Sequence, residues 1–177
     1  MSRRSLIERI GTLPARPLRS VVFRSTSPGY SALGGEGARV KGGRWNPPTS
    51  FPVLYVSSDP SAAAGEIART ARRYGVALNS LLPRQLTTIR VELGRVLDLT
   101  DPTNVALAGL TPAALSGDDL RICQAVGDAA HYLGFEALLA PSVAAPATTI
   151  AIFLNALRAT SSIEIVGTEI LDNEGIT

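Results

Sequence analysis

The stretch from Phe135 to Leu157 is the most apolar in the chain, and its punctuation decides what it can become. Pro141, Pro146 and the Thr148-Thr149 pair interrupt it. Proline fixes φ and removes a backbone donor, so a continuous helix across this region is excluded. A membrane-spanning helix needs an unbroken apolar run of roughly 18 residues or more. The interrupted run reads instead as two buried strands, Glu136 to Pro141 and Thr149 to Asn155. The chain is therefore expected to fold around a sheet, with no membrane span.

Composition supports a folded domain. Hydrophobic residues make up 45% of the 177 residues and aromatic ones only 5%, so the core must rest on Ala, Val, Leu and Ile. That length suits a single domain over residues 1–177, large enough to bury a core without staples. Net charge is +2, yet it comes from sixteen arginines and one lysine, Lys41. Arginine suits phosphate and carboxylate because its planar fork binds both bidentately. A small net charge gives little footprint for nucleic acid. Cys123 stands alone, so a disulfide framework is excluded and a cytoplasmic setting is natural. It reads as a buried structural thiol in Leu120–Val126, since the one histidine, His131, lies eight residues along the same expected helix. Met1-Ser2-Arg3-Arg4-Ser5 leads into no apolar run of the kind a signal peptide carries.

Along the chain, residues 5–11 suit a short amphipathic helix and Leu18 to Arg24 a strand centred on Val21, Val22 and Phe23. Residues 25–50 are rich in glycine and proline and read as one long loop, a length that in compact domains usually serves function. Val53 to Ser57 is the next strand. Asp59-Pro60 then supplies an N-cap and a first-turn proline for a helix running to Tyr74 and Gly75. Its apolar stripe is Ala63, Ile67, Thr70, Ala71 and Tyr74, with Glu66 at the edge. Leu86 to Leu93 and Val96 to Leu99 read as two strands separated by Gly94. Residues 101–116 suggest short helical turns, Asp118 to Leu133 a helix, and Ile163 to Leu171 a last strand. Strands and helices alternate without a strict βαβ rhythm, so an α+β fold with mainly antiparallel pairing is expected.

The chemistry concentrates at Lys41-Gly42-Gly43-Arg44-Trp45-Asn46-Pro47-Pro48. A fixed cation, the sole tryptophan and a carboxamide stand beside glycines that allow close approach and prolines that stiffen the exit. Tyr55 follows on a strand and Glu66 on a helix. Each has an ordinary structural use. Arg44 can satisfy loop carbonyls, Trp45 can anchor packing, Tyr55 can sit in the core, and Glu66 can pair with Arg69. Together, on loop, strand and helix, they can converge on an anionic ligand that carries a cationic ring.

Arg24, Gly42-Gly43-Arg44-Trp45-Asn46, Val53-Leu54-Tyr55-Val56-Ser57, Ala63-Ala64-Gly65-Glu66 and Ala140-Pro141-Ser142, in that order, resemble the RES-domain family. The likeness spans about residues 20–155. The arginine, glutamate and serine that name the family correspond to Arg44, Glu66 and Ser142. The resemblance implies an ADP-ribosyltransferase-like fold with split, mainly antiparallel β-sheets and flanking helices. It implies a toxin of a toxin–antitoxin pair that degrades NAD⁺ and is neutralised by an Xre-like antitoxin. One departure stands out: Thr149 occupies the place of an asparagine common in the family. A hydroxyl keeps one hydrogen bond but not the amide's donor-and-acceptor pair.

On this resemblance Glu66, Arg44, Tyr55 and Ser142 form the catalytic set, while Arg24, Gly43, Trp45 and Asn46 bind NAD⁺. Neither a metal nor a resident cofactor is implied; NAD⁺ is substrate, with inorganic phosphate as a possible co-substrate. Cleaving the nicotinamide–ribose bond releases a neutral base from a pyridinium, so one carboxylate that stabilises the oxocarbenium ion suffices. The acceptor is left open between phosphate, water and a protein side chain, the last making the chain an ADP-ribosyltransferase. A non-catalytic nucleic-acid-binding module is the remaining alternative.

Overall fold

The computed structural model describes residues 2–143 and 145–172, apart from the side chains of Glu66, Arg69, Thr70 and Arg73. Among the described residues six strands and six α-helices follow in the order α1 (Arg3–Gly11), β1 (Ala15–Thr26), α2 (Glu36–Lys41), β2 (Val53–Ser57), α3 (Pro60–Tyr74), β3 (Arg84–Asp98), α4 (Pro102–Leu107), α5 (Pro112–Ser116), α6 (Arg121–Tyr132), β4 (Ala137–Pro141), β5 (Thr148–Phe153) and β6 (Ser162–Leu171). The fold is α+β. No described helix is long and apolar enough to cross a membrane.

The strands run in the order β1-β2-β5-β4-β3-β6, and β1 also pairs with β3. That extra pairing closes five strands into a barrel and leaves β6 on the second edge of β3. The expected split of the sheet is therefore corrected: long antiparallel registers from Ala15↔Leu97 to Thr26↔Gln85 weld β1 to β3. Pairing is antiparallel throughout except for β3 with β4. The weak seam lies between β1 and β2, where Phe23↔Ser57 is the pair that holds.

Strands β2, β4 and β5 are buried on both faces, which explains their near-continuous apolar sequence. Leu54, Val56, Ala137, Leu139, Ile150 and Ile152 share one cluster with Val22, Ile89 and Val91. The alternate residues Val53, Leu138, Ala140, Ala151 and Phe153 join a second cluster with Leu6 and Ile10 of α1 and with Cys123, Val126 and Ala130 of α6. Period-two alternation thus divides one set of strands between two cores.

Three local expectations change. Residues 36–41, read as loop, form α2, whose last turn ends at Gly42 with φ 74°. Gly94 does not interrupt the sheet. β3 runs through it with a bulge, since Arg16↔Val96 is followed by Leu18↔Leu93. The amides that this bulge frees, those of Gly94 and Arg95, donate to the fully buried Glu136 carboxylate at 2.7 and 2.8 Å. That carboxylate also accepts from the Arg158 amide at 2.9 Å and from the Ser161 hydroxyl. Burial alone would raise its pKa, but the hydrogen bonds win and hold it below the ordinary glutamate value. Finally, Tyr74 is exposed rather than part of the buried stripe of α3, which among the described side chains comprises Ala62, Ala63, Ile67 and Ala71; that of Thr70 lies outside them. Helix α3 otherwise begins as Asp59-Pro60 foretells, with the Asp59 carboxylate accepting from the Ala62 amide at 2.9 Å.

Candidate active site

A cavity of about 360 Å³ opens at the thin β1–β2 seam. The registers Phe23↔Ser57, Ser57↔Thr149 and Ala140↔Thr149 put these residues in one rung across β1, β2, β5 and β4. Around that rung the wall is completed by Arg24, Arg44, Trp45, Tyr55, Ser142 and the first turn of α3 at Ala62 and Ala63. The volume is in the range of a small-molecule site, and its wall mixes polar and apolar groups in similar measure.

Arg24 and Arg44 both line this cavity, and their guanidinium groups are held the same way. Arg24 donates through Nη1 to the carbonyls of Ala32 and Gly34, at 3.0 and 2.7 Å. Arg44 donates through Nη1 to the carbonyls of Leu115 and Gly117, at 3.0 and 2.9 Å, with the Cys123 sulfur 3.8 Å away. Each arginine is thus pinned by one nitrogen to backbone 8 to 73 residues away, while Nε and Nη2 make no hydrogen bond within the described chain. A guanidinium fixed in this way presents an edge suited to a phosphate or carboxylate. Burial, and then the nearby Arg84 charge, push the Arg24 pKa down from its ordinary value. An anion entering the cavity would relieve that strain between cations.

Tyr55 is half-buried on β2, its ring on the cavity wall and its hydroxyl committed to the loop. The hydroxyl accepts from the Trp45 amide and donates to Asn46 Oδ1, both at 2.8 Å. Burial drives its pKa upward, so it stays a neutral donor. Gly43 is required beneath it, because a Cβ there would lie 2.5 Å from the hydroxyl. Trp45 is 1% exposed and packs into the core, with its indole N–H unpaired among the described residues.

The family model for the RES domain matches residues 17–172. The chain belongs to the RES-domain family. It is 37% identical over 139 residues to the NAD(+) phosphorylase MbcT of Mycobacterium bovis and of Mycobacterium tuberculosis, covering 77% of this chain and 75% of those proteins. Its fold matches a crystal structure of the M. tuberculosis MbcT–MbcA toxin–antitoxin complex with a TM-score of 0.83 at 30% identity, over 95% of this chain and 92% of that one.

Of the residues that carry the RES pattern, Arg24, Arg44, Trp45, Tyr55 and Ser142 come together on the cavity wall. Ser142 directly follows β4, with its amide donating to the Ala147 carbonyl at 2.8 Å. Glu66 lies on α3, and its side chain is outside the described residues. Gly43 and Asn46 are not on the wall. Asn46 is fully buried, with Nδ2 donating to the Ala38 carbonyl at 2.8 Å and Oδ1 accepting from the Tyr55 hydroxyl, so its amide braces the loop. Thr149, the departure from the RES pattern, is itself on the wall.

Sequence reasoning missed Phe23, Ser25, Ser57 and Val56 as lining residues. The rung that unites them depends on strand register, which leaves no local mark in the sequence. Among the described residues no group of three or more His, Cys, Asp or Glu is placed to hold a metal.

Proposed function

We propose that this chain is the toxin of a toxin–antitoxin pair and consumes NAD⁺ by cleaving the nicotinamide–ribose bond, with inorganic phosphate as acceptor. Its RES-family membership and likeness to proteins named NAD(+) phosphorylase support the reading. The observation that carries it is the pair of arginines, each pinned through Nη1 with its other nitrogens unbonded in the described chain, that line one cavity together with Tyr55.

In this reading Arg44 and Arg24 hold the pyrophosphate, and the Tyr55 ring meets the cationic nicotinamide, a contact that contributes about 0.5–2 kcal/mol. A phosphate oxygen attacks the anomeric carbon as the carbon–nitrogen bond breaks. The bonding pair passes to the ring nitrogen, which neutralises the pyridinium, so the leaving group needs no proton. Glu66 is assigned the ribose, accepting a hydrogen bond from a hydroxyl and offsetting the oxocarbenium charge. Ser142 orients a ribose hydroxyl or the attacking group. The products are nicotinamide and a phosphorylated ADP-ribose.

A relation to ADP-ribosyltransferase toxins, action in the cytoplasm and control by an Xre-like antitoxin belong to the same proposal. Nucleic-acid binding has less behind it. Many arginines away from the cavity already pair with carboxylates, as in Arg3–Asp128, Arg16–Asp98, Arg19–Glu92, Arg90–Glu164 and Arg121–Asp119.

The test is to incubate pure protein with NAD⁺, with and without phosphate, and follow the adenosine half by isotope. Nicotinamide release that needs phosphate and yields a phosphorylated ADP-ribose is the expected result. Release of ADP-ribose in either buffer would move the assignment to hydrolysis, and label on protein would move it to transfer. Absence of nicotinamide would overturn the proposal.

A further inference from the structure

The loop that carries Arg44 is gripped on two sides. One grip is the Tyr55 hydroxyl of β2. The other is a face of α6 that no site motif marks. Gln124 Nε2 donates to the Gly43 carbonyl at 3.0 Å. Cys123 stands against Arg44 Nη1. Gly127 lies so close to the Trp45 carbonyl that any Cβ would collide with it. One further turn along, the His131 ring stacks on Phe51 with centroids 3.9 Å apart and planes 3° from parallel. Positions 123, 124, 127 and 131 follow helical spacing, so one stripe of α6 tracks the loop from Gly43 to Phe51.

Gly127 makes the case sharper. Glycine inside a helix costs roughly 0.5–1 kcal/mol against alanine, so its presence calls for a reason. Contact with the Trp45 main chain supplies one: the helix axis can approach the loop only where a side chain is missing. The carbonyls that hold Arg44 Nη1, those of Leu115 and Gly117, close the end of α5, four residues before α6 begins. Main chain on both sides of Arg44 is therefore referenced to α6, and its guanidinium to the turn that leads into α6.

We propose that Gln124, with Gly127 beside it, is a positioning residue. It fixes the Gly43–Trp45 main chain on α6 so that the Arg44 fork is aimed into the cavity. This rests on the NAD⁺ reading only for the identity of the ligand; the claim itself concerns how Arg44 meets an anion.

The experiment replaces Gln124 with methionine, which keeps the length and removes the donor. Gln124 is half-buried on the helix surface, so methionine is accommodated without disturbing the core. Inorganic pyrophosphate binding is measured by calorimetry on wild type, Q124M, Arg44→Lys and the double variant. Fluorescence of Trp45, the sole tryptophan, reports the loop. Q124M is expected to weaken pyrophosphate binding roughly fivefold to tenfold, the scale of one lost hydrogen bond to a half-buried carbonyl, and to shift the tryptophan emission. In the Arg44→Lys background, where the Leu115 and Gly117 anchor is already gone, the second substitution should change affinity less than about twofold, because the two share one function. Unchanged affinity in Q124M, the same factor in both backgrounds, or no pyrophosphate binding by wild type would each overturn the proposal. A wild type that binds pyrophosphate but releases no nicotinamide would overturn the NAD⁺ reading alone.

Discussion

The two long walls of the cavity are built in different ways. The loop that carries Arg44 and Trp45 to one wall adds side-chain braces to its own main-chain turns: Tyr55 from β2, Gln124 from α6, and its own Asn46, whose amide ties it back to the Ala38 carbonyl of α2. The opposite wall, from Pro141 through Ser142 to Thr149, has main-chain closures at its base. Ser142 donates to the Ala147 carbonyl, and Ser58 exchanges hydrogen bonds with Thr148 through its amide and its hydroxyl. The first wall is thus braced by side chains scattered over the chain, the second by main-chain bonds of the β4–β5 connection and by Ser58 just after β2. A preorganised cation belongs on the first kind of wall, since a guanidinium fixed before the ligand arrives needs no reorganisation at binding. Changes on the first wall should therefore harm binding and stability together, and changes at Glu66 and Ser142, the groups proposed to act at the ribose, should harm rate alone.

Arg44→Lys is the largest expected break in that comparison on the loop side. Lysine keeps the charge but cannot hold two carbonyls with one nitrogen while offering an edge to the ligand. A loss of roughly tenfold to a hundredfold in kcat/KM for NAD⁺ is expected, most of it in KM. A loss confined to kcat would mean that Arg44 acts on the transition state and is not a binding clamp.

Tyr55→Phe should have the smaller effect on the reaction and a clear effect on stability. It leaves the buried Trp45 amide and Asn46 oxygen unpaired, a cost of about 1–3 kcal/mol. For a chain of this size the melting temperature should fall by roughly 2–12 °C. The ring remains to meet nicotinamide, so kcat should drop less than about tenfold. A stable variant with no activity would show that the hydroxyl reacts and is not a strut.

Much of the site was legible from residue types and order. Asp59-Pro60 marks the start of α3 because capping is local chemistry, and Arg24, Arg44, Tyr55 and Ser142 follow a family order that the cavity brings together. What the sequence hid is non-local. Closure of the barrel depends on β1 pairing along β3, from Ala15 against Leu97 to Thr26 against Gln85, and no residue in either strand announces its partner. Gly94 looked like a break, but a carboxylate 42 residues away takes up the freed amide. That Asn46 braces the loop depends on the positions of Tyr55 and Ala38, which its place in the motif does not announce. Gln124 and Gly127 carried no signal at all, because their partners lie some 80 residues upstream.

The central claim is that this cavity breaks the nicotinamide–ribose bond with one carboxylate on α3. Nicotinamide release from NAD⁺ by Glu66→Ala, measured beside wild type and with melting curves of both, tests it most directly. The account predicts an unchanged melting temperature and a rate lower by roughly 10²–10³, the usual cost of losing one such charge-stabilising group. Release by Glu66→Ala at the wild-type rate would contradict it.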